Sequence, residues 1–149
     1  MREKAVSKKA KMIVTRKLPD PIETRLMELF DTNLNLNDLP MTQDELKRAV
    51  ELCDILVPTV TDIIDAEIIS VAGSRLKLIA NFGVGVNHID LEAAESRGIQ
   101  ISNTPDVLTE DTADLTMALI LMTPRRLGEG ERMIRANSWT GWAPTQLMG

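Results

Sequence analysis

The ten residues 81–90, NFGVGVNHID, have the types and spacing that best suit a chemical role. They contain Gly83, Gly85 and His88, the only histidine of the chain. Glycines permit φ > 0 and a close approach of the backbone, so their N–H groups can converge on an anion. The segment therefore predicts an anion-binding turn. A plain strand-to-helix turn, which uses glycine only for its geometry, is the other interpretation of the same residues.

The two glycines do not begin a dinucleotide fingerprint. The pattern G-x-G-x-x-G requires a third glycine at its sixth position, and His88 stands there. His88 has no base or orienting partner visible in the sequence, so we expect a loop histidine hydrogen-bonded to backbone. One histidine and one cysteine cannot supply a closed metal shell, so no metal site is predicted.

Residues 81–90 lie within a chain in which predicted strands and helices alternate five times, and these elements must position the segment. A capping box of Thr42 and Glu45 predicts a helix to about Leu52, and Gly73 and Gly98 are predicted to end later helices. Such alternation is typical of an α/β fold, an open parallel sheet with helices on both faces. The predicted strands cover residues 11–15, 33–36, 54–57, 76–82 and 99–102, and the predicted helices begin near residues 22, 42, 65 and 90.

The pattern changes after Pro105. Residues 109–122 are predicted to form a helix that is apolar nearly all the way round, and another helix is predicted over residues 126–136. An all-round apolar helix must be covered on every side. The domain before it can cover one side only, so we expect a second domain, a second subunit, or both, to cover the rest.

The composition of the chain argues against several classes of function. The net charge of −5 argues against nucleic acid as a partner, since a phosphate backbone needs a basic patch. Cys53, the single cysteine, ends an apolar helical pattern and is predicted to be a buried, inert thiol. No apolar run reaches the roughly 18 residues that span a bilayer, and no signal core is visible, so a cytoplasmic protein is expected.

Three stretches together resemble the D-isomer-specific 2-hydroxyacid dehydrogenases. The first is residues 81–99, and the second is residues 103–114, which begin with the sequence NTPDVLT. The third is the following helix, which ends at Arg125 and Arg126 and has Trp139 beyond it. The second stretch is most similar to the glyoxylate/hydroxypyruvate reductase branch. Phosphoglycerate and formate dehydrogenases share the architecture and stay open as alternatives.

The resemblance implies a flavodoxin-like substrate-binding domain over residues 1–107. Residues 108–149 would then be long apolar interdomain and dimerisation helices that lead toward a Rossmann domain. In such enzymes the glycine turn binds the substrate carboxylate through backbone N–H groups, a role that maps onto Val84 and Gly85. Leu108 corresponds to a residue that contacts the substrate, and Thr109 and Thr112 correspond to residues that lie next to the nicotinamide of the cofactor. A homodimer is also implied.

The implied activity is the NAD(P)H-dependent reduction of 2-oxo acids such as glyoxylate or hydroxypyruvate to D-2-hydroxy acids. No residue here matches the family's catalytic arginine, acid or histidine, and the dinucleotide fingerprint is expected after Gly149. We therefore expect this chain alone to be inactive and to bind NAD(P)H weakly. A non-catalytic dimeric interaction module is the alternative. A receiver domain is rejected, because Thr15-Arg16-Lys17 stands where it needs acids for Mg²⁺.

Overall fold

The computed structural model describes residues 9–147. The chain divides into two compact units, Met1–Pro105 and Asp106–Gly149. Between residues 9 and 147, no helix combines the length and the apolar character needed to cross a membrane.

The first unit contains a five-stranded sheet in which every pair of neighbouring strands is parallel. The strand order is β2-β1-β3-β4-β5, the order of flavodoxin-like doubly wound sheets. The predicted open parallel sheet is confirmed. Its strands are β1 (Lys11–Val14), β2 (Asp31–Asn33), β3 (Ile55–Val57), β4 (Leu78–Ala80) and β5 (Gln100–Ser102).

Helices cover both faces of the sheet because successive strand residues point to opposite sides. Ile13, Leu56 and Ile79 share a buried cluster with residues of three helices on one face. Met12, Val14 and the residues packed with them form a second cluster with a single helix on the other face. The first three helices are α2 (Gln43–Leu52), α3 (Ala66–Ser70) and α4 (Leu91–Ser96), and the single one is α1 (Asp20–Leu29).

Local signals for helix ends were mostly correct. The Thr42 side chain accepts from the Glu45 N–H while the Glu45 carboxylate accepts from the Thr42 N–H, which confirms the capping box. Gly98 follows α4 with φ +67°, as expected of a helix stop. The prediction for Gly73 was wrong, because α3 ends at Ser70 and Gly73 lacks a positive φ. A Cβ at Gly73 would lie 2.5 Å from the Glu51 carbonyl oxygen, so close backbone approach requires the glycine.

The strand predicted over residues 33–36 was also wrong. The second strand pairs with β1 through Asp31, Thr32 and Asn33, and the chain leaves the sheet after Asn33. The Asn35 amide then donates to the carbonyls of Thr15 and Leu39, both at 2.7 Å, and this side-chain bridge holds a loop where alternation predicted a strand.

The second unit contains α5 (Thr109–Met122) and α6 (Leu127–Arg135). The predicted bounds of α5 are confirmed, and none of its residues is buried. The expectation of long apolar helices is not confirmed, because α5 has 14 residues, and α6 has only 9 and carries charged side chains in each turn.

Candidate functional site

The turn of residues 81–90 joins β4 to α4 at the C-terminal edge of the sheet. Backbone hydrogen bonds join this turn to the loop that follows the neighbouring strand β3. The Phe82 N–H donates to the Pro58 carbonyl at 2.8 Å, and the Ile64 N–H donates to the His88 carbonyl at 2.8 Å. Ligands of open parallel sheets gather at this edge, because strand ends there leave room between loops.

Two side-chain amides hold the carbonyl oxygens of the turn. The Nδ2 of Asn81, a residue only 2% exposed, donates to the Gly83 oxygen at 3.1 Å and to the Gly85 oxygen at 2.9 Å. From the strand β5 side, the Asn103 Nδ2 donates to the Val84 oxygen at 2.8 Å. Three consecutive carbonyl groups are therefore engaged by the protein itself.

The N–H groups of the same turn remain available. None of the backbone N–H groups of residues 83–88 donates to an acceptor within residues 9–147. Val84 is 38% exposed, and nothing lies within 4 Å of an added Cβ at Gly85. A run of backbone donors without protein acceptors beside open space is suited to binding an anion.

The two glycines of the turn do not use the left-handed conformation that glycine permits, because neither Gly83 nor Gly85 has a positive φ. Gly83 is required for a different reason, since an added Cβ would lie 2.6 Å from the Val60 Cγ1. Gly85 faces open space instead, and its lack of a side chain keeps that space free.

A pocket of about 380 Å³ adjoins the turn. Val60 and Ile63 form its apolar part, and Gly85, Asn87 and His88 line the remainder. No lysine or arginine side chain is among these lining residues, so the pocket supplies backbone dipoles and apolar surface rather than a cation.

His88 has a partner that sequence reasoning missed. Its Nε2 lies 2.9 Å from the Asn81 Oδ1, so the expected backbone hydrogen bond was wrong. Partial burial lowers the pKa of the His88 imidazole below its ordinary value, and the negative charge of Asp62 opposes that shift. Asp62 is itself buried, and accepts from the Thr15 hydroxyl at 2.6 Å and the Thr59 N–H at 2.8 Å.

The other predicted site residues lie in the second unit. Leu108 precedes the first residue of α5, and its carbonyl accepts from the Thr112 N–H at 3.0 Å. Thr109 and Thr112 occupy the first turn of that helix and are exposed. The structure thus places Val84 and Gly85 side by side in the first unit, and the remaining three together at the start of α5.

No group of three or more potential metal ligands occurs among residues 9–147. Cys53 is fully buried, as predicted, and burial raises the pKa of its thiol to about 11. A neutral, enclosed thiol is a poor nucleophile, so Cys53 belongs to the core and not to a site.

The chain is similar to known oxidoreductases over nearly its whole length. The family model for the D-isomer specific 2-hydroxyacid dehydrogenase catalytic domain matches residues 12–144. The chain is 37% identical to the glycerate dehydrogenase of Hyphomicrobium methylovorum, with 95% of this chain and 44% of that protein covered. It is 36% identical to the human glyoxylate reductase/hydroxypyruvate reductase, with 93% of this chain and 43% of that protein covered.

A solved structure has the same fold over most of this chain. The TT0316 protein of Thermus thermophilus superposes with a TM-score of 0.82 at 45% identity, covering 93% of this chain and 44% of that one. The chain thus spans less than half the length of the relatives that it matches.

Proposed function

Since the chain belongs to the D-isomer specific 2-hydroxyacid dehydrogenase family, we propose that its first unit is the substrate-binding domain of an enzyme that reduces 2-oxo acids. The turn of residues 81–90 binds the substrate carboxylate, with Val84 and Gly85 as the central donors. One observation carries this proposal: the N–H groups of residues 83–88 have no acceptor within residues 9–147. A carboxylate can accept two or more such hydrogen bonds at once.

The contribution of this turn to the reaction is positioning. Backbone donors held by Asn81 and Asn103 need not reorganise when the substrate arrives, so little entropy is lost in orienting it. A substrate anchored by its carboxylate at Gly85 would lie at the pocket that Val60 and Ile63 also line.

The nicotinamide cofactor that the family implies fits the residues at the start of α5. The hydroxyls of Thr109 and Thr112 are exposed and have no hydrogen-bond acceptor within residues 9–147, so they can serve the polar carboxamide of a nicotinamide. We propose Leu108 as an apolar contact beside them. Bound NAD(P)H supplies the hydride in such chemistry. We assign no catalytic role to any of residues 9–147.

The pocket supports a small substrate without a phosphate. Apart from Gly85, Asn87 and His88, its lining is Val60 and Ile63, and it has no cation to pair with a phosphate. Glyoxylate and hydroxypyruvate satisfy this limit, because the group beyond the carbonyl carbon is hydrogen in one and hydroxymethyl in the other. The names of the relatives, glycerate dehydrogenase and glyoxylate reductase, agree with this choice.

The second part of the chain, residues 108–149, is proposed to serve as interdomain and dimerisation helices. The apolar side chains of α5 are widely exposed, from 40% at Met122 to 64% at Leu121. Contiguous exposed apolar surface of this kind usually marks an interaction site. A homodimer is the arrangement that we propose, because two-fold pairs are the commonest homo-oligomers.

An NMR titration tests the carboxylate turn directly. The ¹⁵N-labelled chain is titrated with oxamate, a stable analogue of a 2-oxo acid, and with ethyl oxamate, which lacks the carboxylate. We expect oxamate at millimolar concentration to move the amide signals of residues 83–88, and ethyl oxamate to leave them in place. The Gly85→Val variant should lose the response, because its side chain fills the space beside the donors.

Equal responses to the acid and the ester, or no response at these amides, would refute the proposal. A response that survives in a folded Gly85→Val variant would remove Gly85 from the site. The alternative function, a non-catalytic dimeric module, predicts association of the chain without any amide response to oxamate.

A further inference from the structure

Asn81 and His88 form a polar pair that the proposed carboxylate contacts do not use. Asn81 is 2% exposed, and its amide makes three hydrogen bonds, to the oxygens of Gly83 and Gly85 and to the imidazole of His88. A buried amide with so many partners in one turn restricts the conformation of that turn, because each lost bond would leave a buried polar atom unsatisfied.

The partners of Asn81 determine which way its amide points. Carbonyl oxygens only accept hydrogen bonds, so the atom that faces Gly83 and Gly85 must be the NH₂ group. The Oδ1 therefore faces His88, and since Oδ1 can only accept, the His88 Nε2 must carry a hydrogen. The neutral imidazole is thus restricted to the Nε2–H tautomer, with Nδ1 unprotonated.

The carbonyl contacts also orient the donors of the turn. The peptide unit is planar and trans, so its C=O and N–H bonds point in opposite directions. When Asn81 holds the Gly83 and Gly85 oxygens, the N–H groups of the following residues, Val84 and Val86, are turned away from Asn81. In the same way, Asn103 holds the Val84 oxygen, so the Gly85 N–H of that peptide unit is turned away from Asn103.

We propose that Asn81 and His88 are positioning residues for the carboxylate turn, with the Nε2–H of His88 fixing the Asn81 amide and Asn81 aiming the Val84 N–H. This inference rests on the proposed function of the turn. Rotating the amide by half a turn would set its oxygen against two carbonyl oxygens and lose both bonds. The Nε2–H of His88 can donate to the Asn81 Oδ1 only when the amide is not rotated, so this third hydrogen bond adds to the stability of the orientation in which the N–H groups remain available to substrate.

The tautomer is measured first, in the unaltered chain. Because His88 is the only histidine, the two imidazole ¹⁵N signals can come from no other residue, and their couplings to the ring C–H protons distinguish Nε2 from Nδ1. At a pH where the ring is neutral, we expect a protonated Nε2 and an unprotonated Nδ1. Observation of the Nδ1–H tautomer as the major form would overturn the inference, whatever the variants show.

Variants then separate positioning from structure. His88→Gln keeps an N–H donor within reach of Asn81, whereas His88→Leu removes it and Asn81→Asp removes both carbonyl contacts. Loss of a neutral hydrogen bond of this kind should weaken oxamate binding roughly 3- to 10-fold in His88→Leu, with recovery in His88→Gln. Asn35→Leu is the matched control, because Asn35 also bridges two carbonyls but in a loop outside the turn.

The outcomes are distinguishable. Oxamate binding that is unchanged in a folded His88→Leu variant overturns the positioning role and leaves the proposed function standing. No rescue by His88→Gln, together with an equal loss in Asn35→Leu, would show a general structural effect and overturn it too. Absence of oxamate binding in the unaltered chain refutes the proposed function itself.

Discussion

A single methyl group added at Gly83 should destabilise the first unit. In Gly83→Ala the new Cβ would lie 2.6 Å from the Val60 Cγ1 and 3.3 Å from the Asn81 Nδ2. Overpacking of this kind typically costs about 1–3 kcal/mol. Val60 is 57% exposed and can move outward, whereas Asn81 is buried and held by three partners. We therefore expect a value near the lower end, about 1 kcal/mol.

Gly85, in the same turn, provides a matched comparison for which we expect a change of opposite sign in the free energy of unfolding. An alanine Cβ at Gly85 meets nothing within 4 Å, and the φ of Gly85 is one that any residue adopts. Replacing glycine by alanine at such a position stabilises a protein by about 0.4–1 kcal/mol, because it lowers the entropy of the unfolded chain. We expect Gly85→Ala to raise the free energy of unfolding while Gly83→Ala lowers it.

Urea unfolding followed by far-UV circular dichroism measures both changes. Both tryptophans, Trp139 and Trp142, lie in the second unit, so circular dichroism is chosen because it reports on the helices and strands of the first unit directly. The cause is tested by the double variant Val60→Ala with Gly83→Ala, in which the shortened side chain removes the closest contact. We expect the cost of Gly83→Ala to fall markedly in that background. An undiminished cost would refute the steric explanation, and a destabilised Gly85→Ala would refute the assignment of open space at Gly85.

Three further outcomes follow from other parts of the chain. Burial raises the pKa of Cys53 from 9.0 to about 11, so the unfolded state loses its thiol proton first as pH rises. The free energy of unfolding should then fall between those values by about 2–3 kcal/mol in total. Urea unfolding on both sides of this window should show the loss, and Cys53→Ala should remove that part of it; an identical slope in the variant would contradict the assignment. The purified chain should show no NADH- or NADPH-dependent reduction of glyoxylate or hydroxypyruvate, as measured by nicotinamide absorbance, because no residue matches the catalytic arginine or histidine of the family; turnover above a buffer blank would disprove this. Light scattering coupled to size exclusion should give a dimer mass that Leu119→Glu reduces to a monomer, with Leu115 and Met122 at the same contact; an unaltered chain that stays monomeric at micromolar concentration would rule out the α5 interface.

Signals that act over a few residues were readable in the sequence. The capping box of Thr42 and Glu45 and the positive φ of Gly98 depend on hydrogen bonds or conformations within a few residues of each position. The alternation of strands and helices rests on the periodicity of apolar residues, so the open parallel sheet was predictable as well. The amino-acid sequence of residues 81–114 was enough to identify the family without any knowledge of the fold.

Tertiary structure alone decided which atoms of the turn are used. Gly83 is required because Val60, 23 residues earlier, lies against it, and Gly73 is required by the carbonyl of Glu51. The partner of His88 is a side chain seven residues before it, brought close only when the chain reverses between β4 and α4. Contacts between residues distant along the chain leave no periodic trace in a sequence, so composition and spacing could indicate an anion-binding turn but not the amide that orients it.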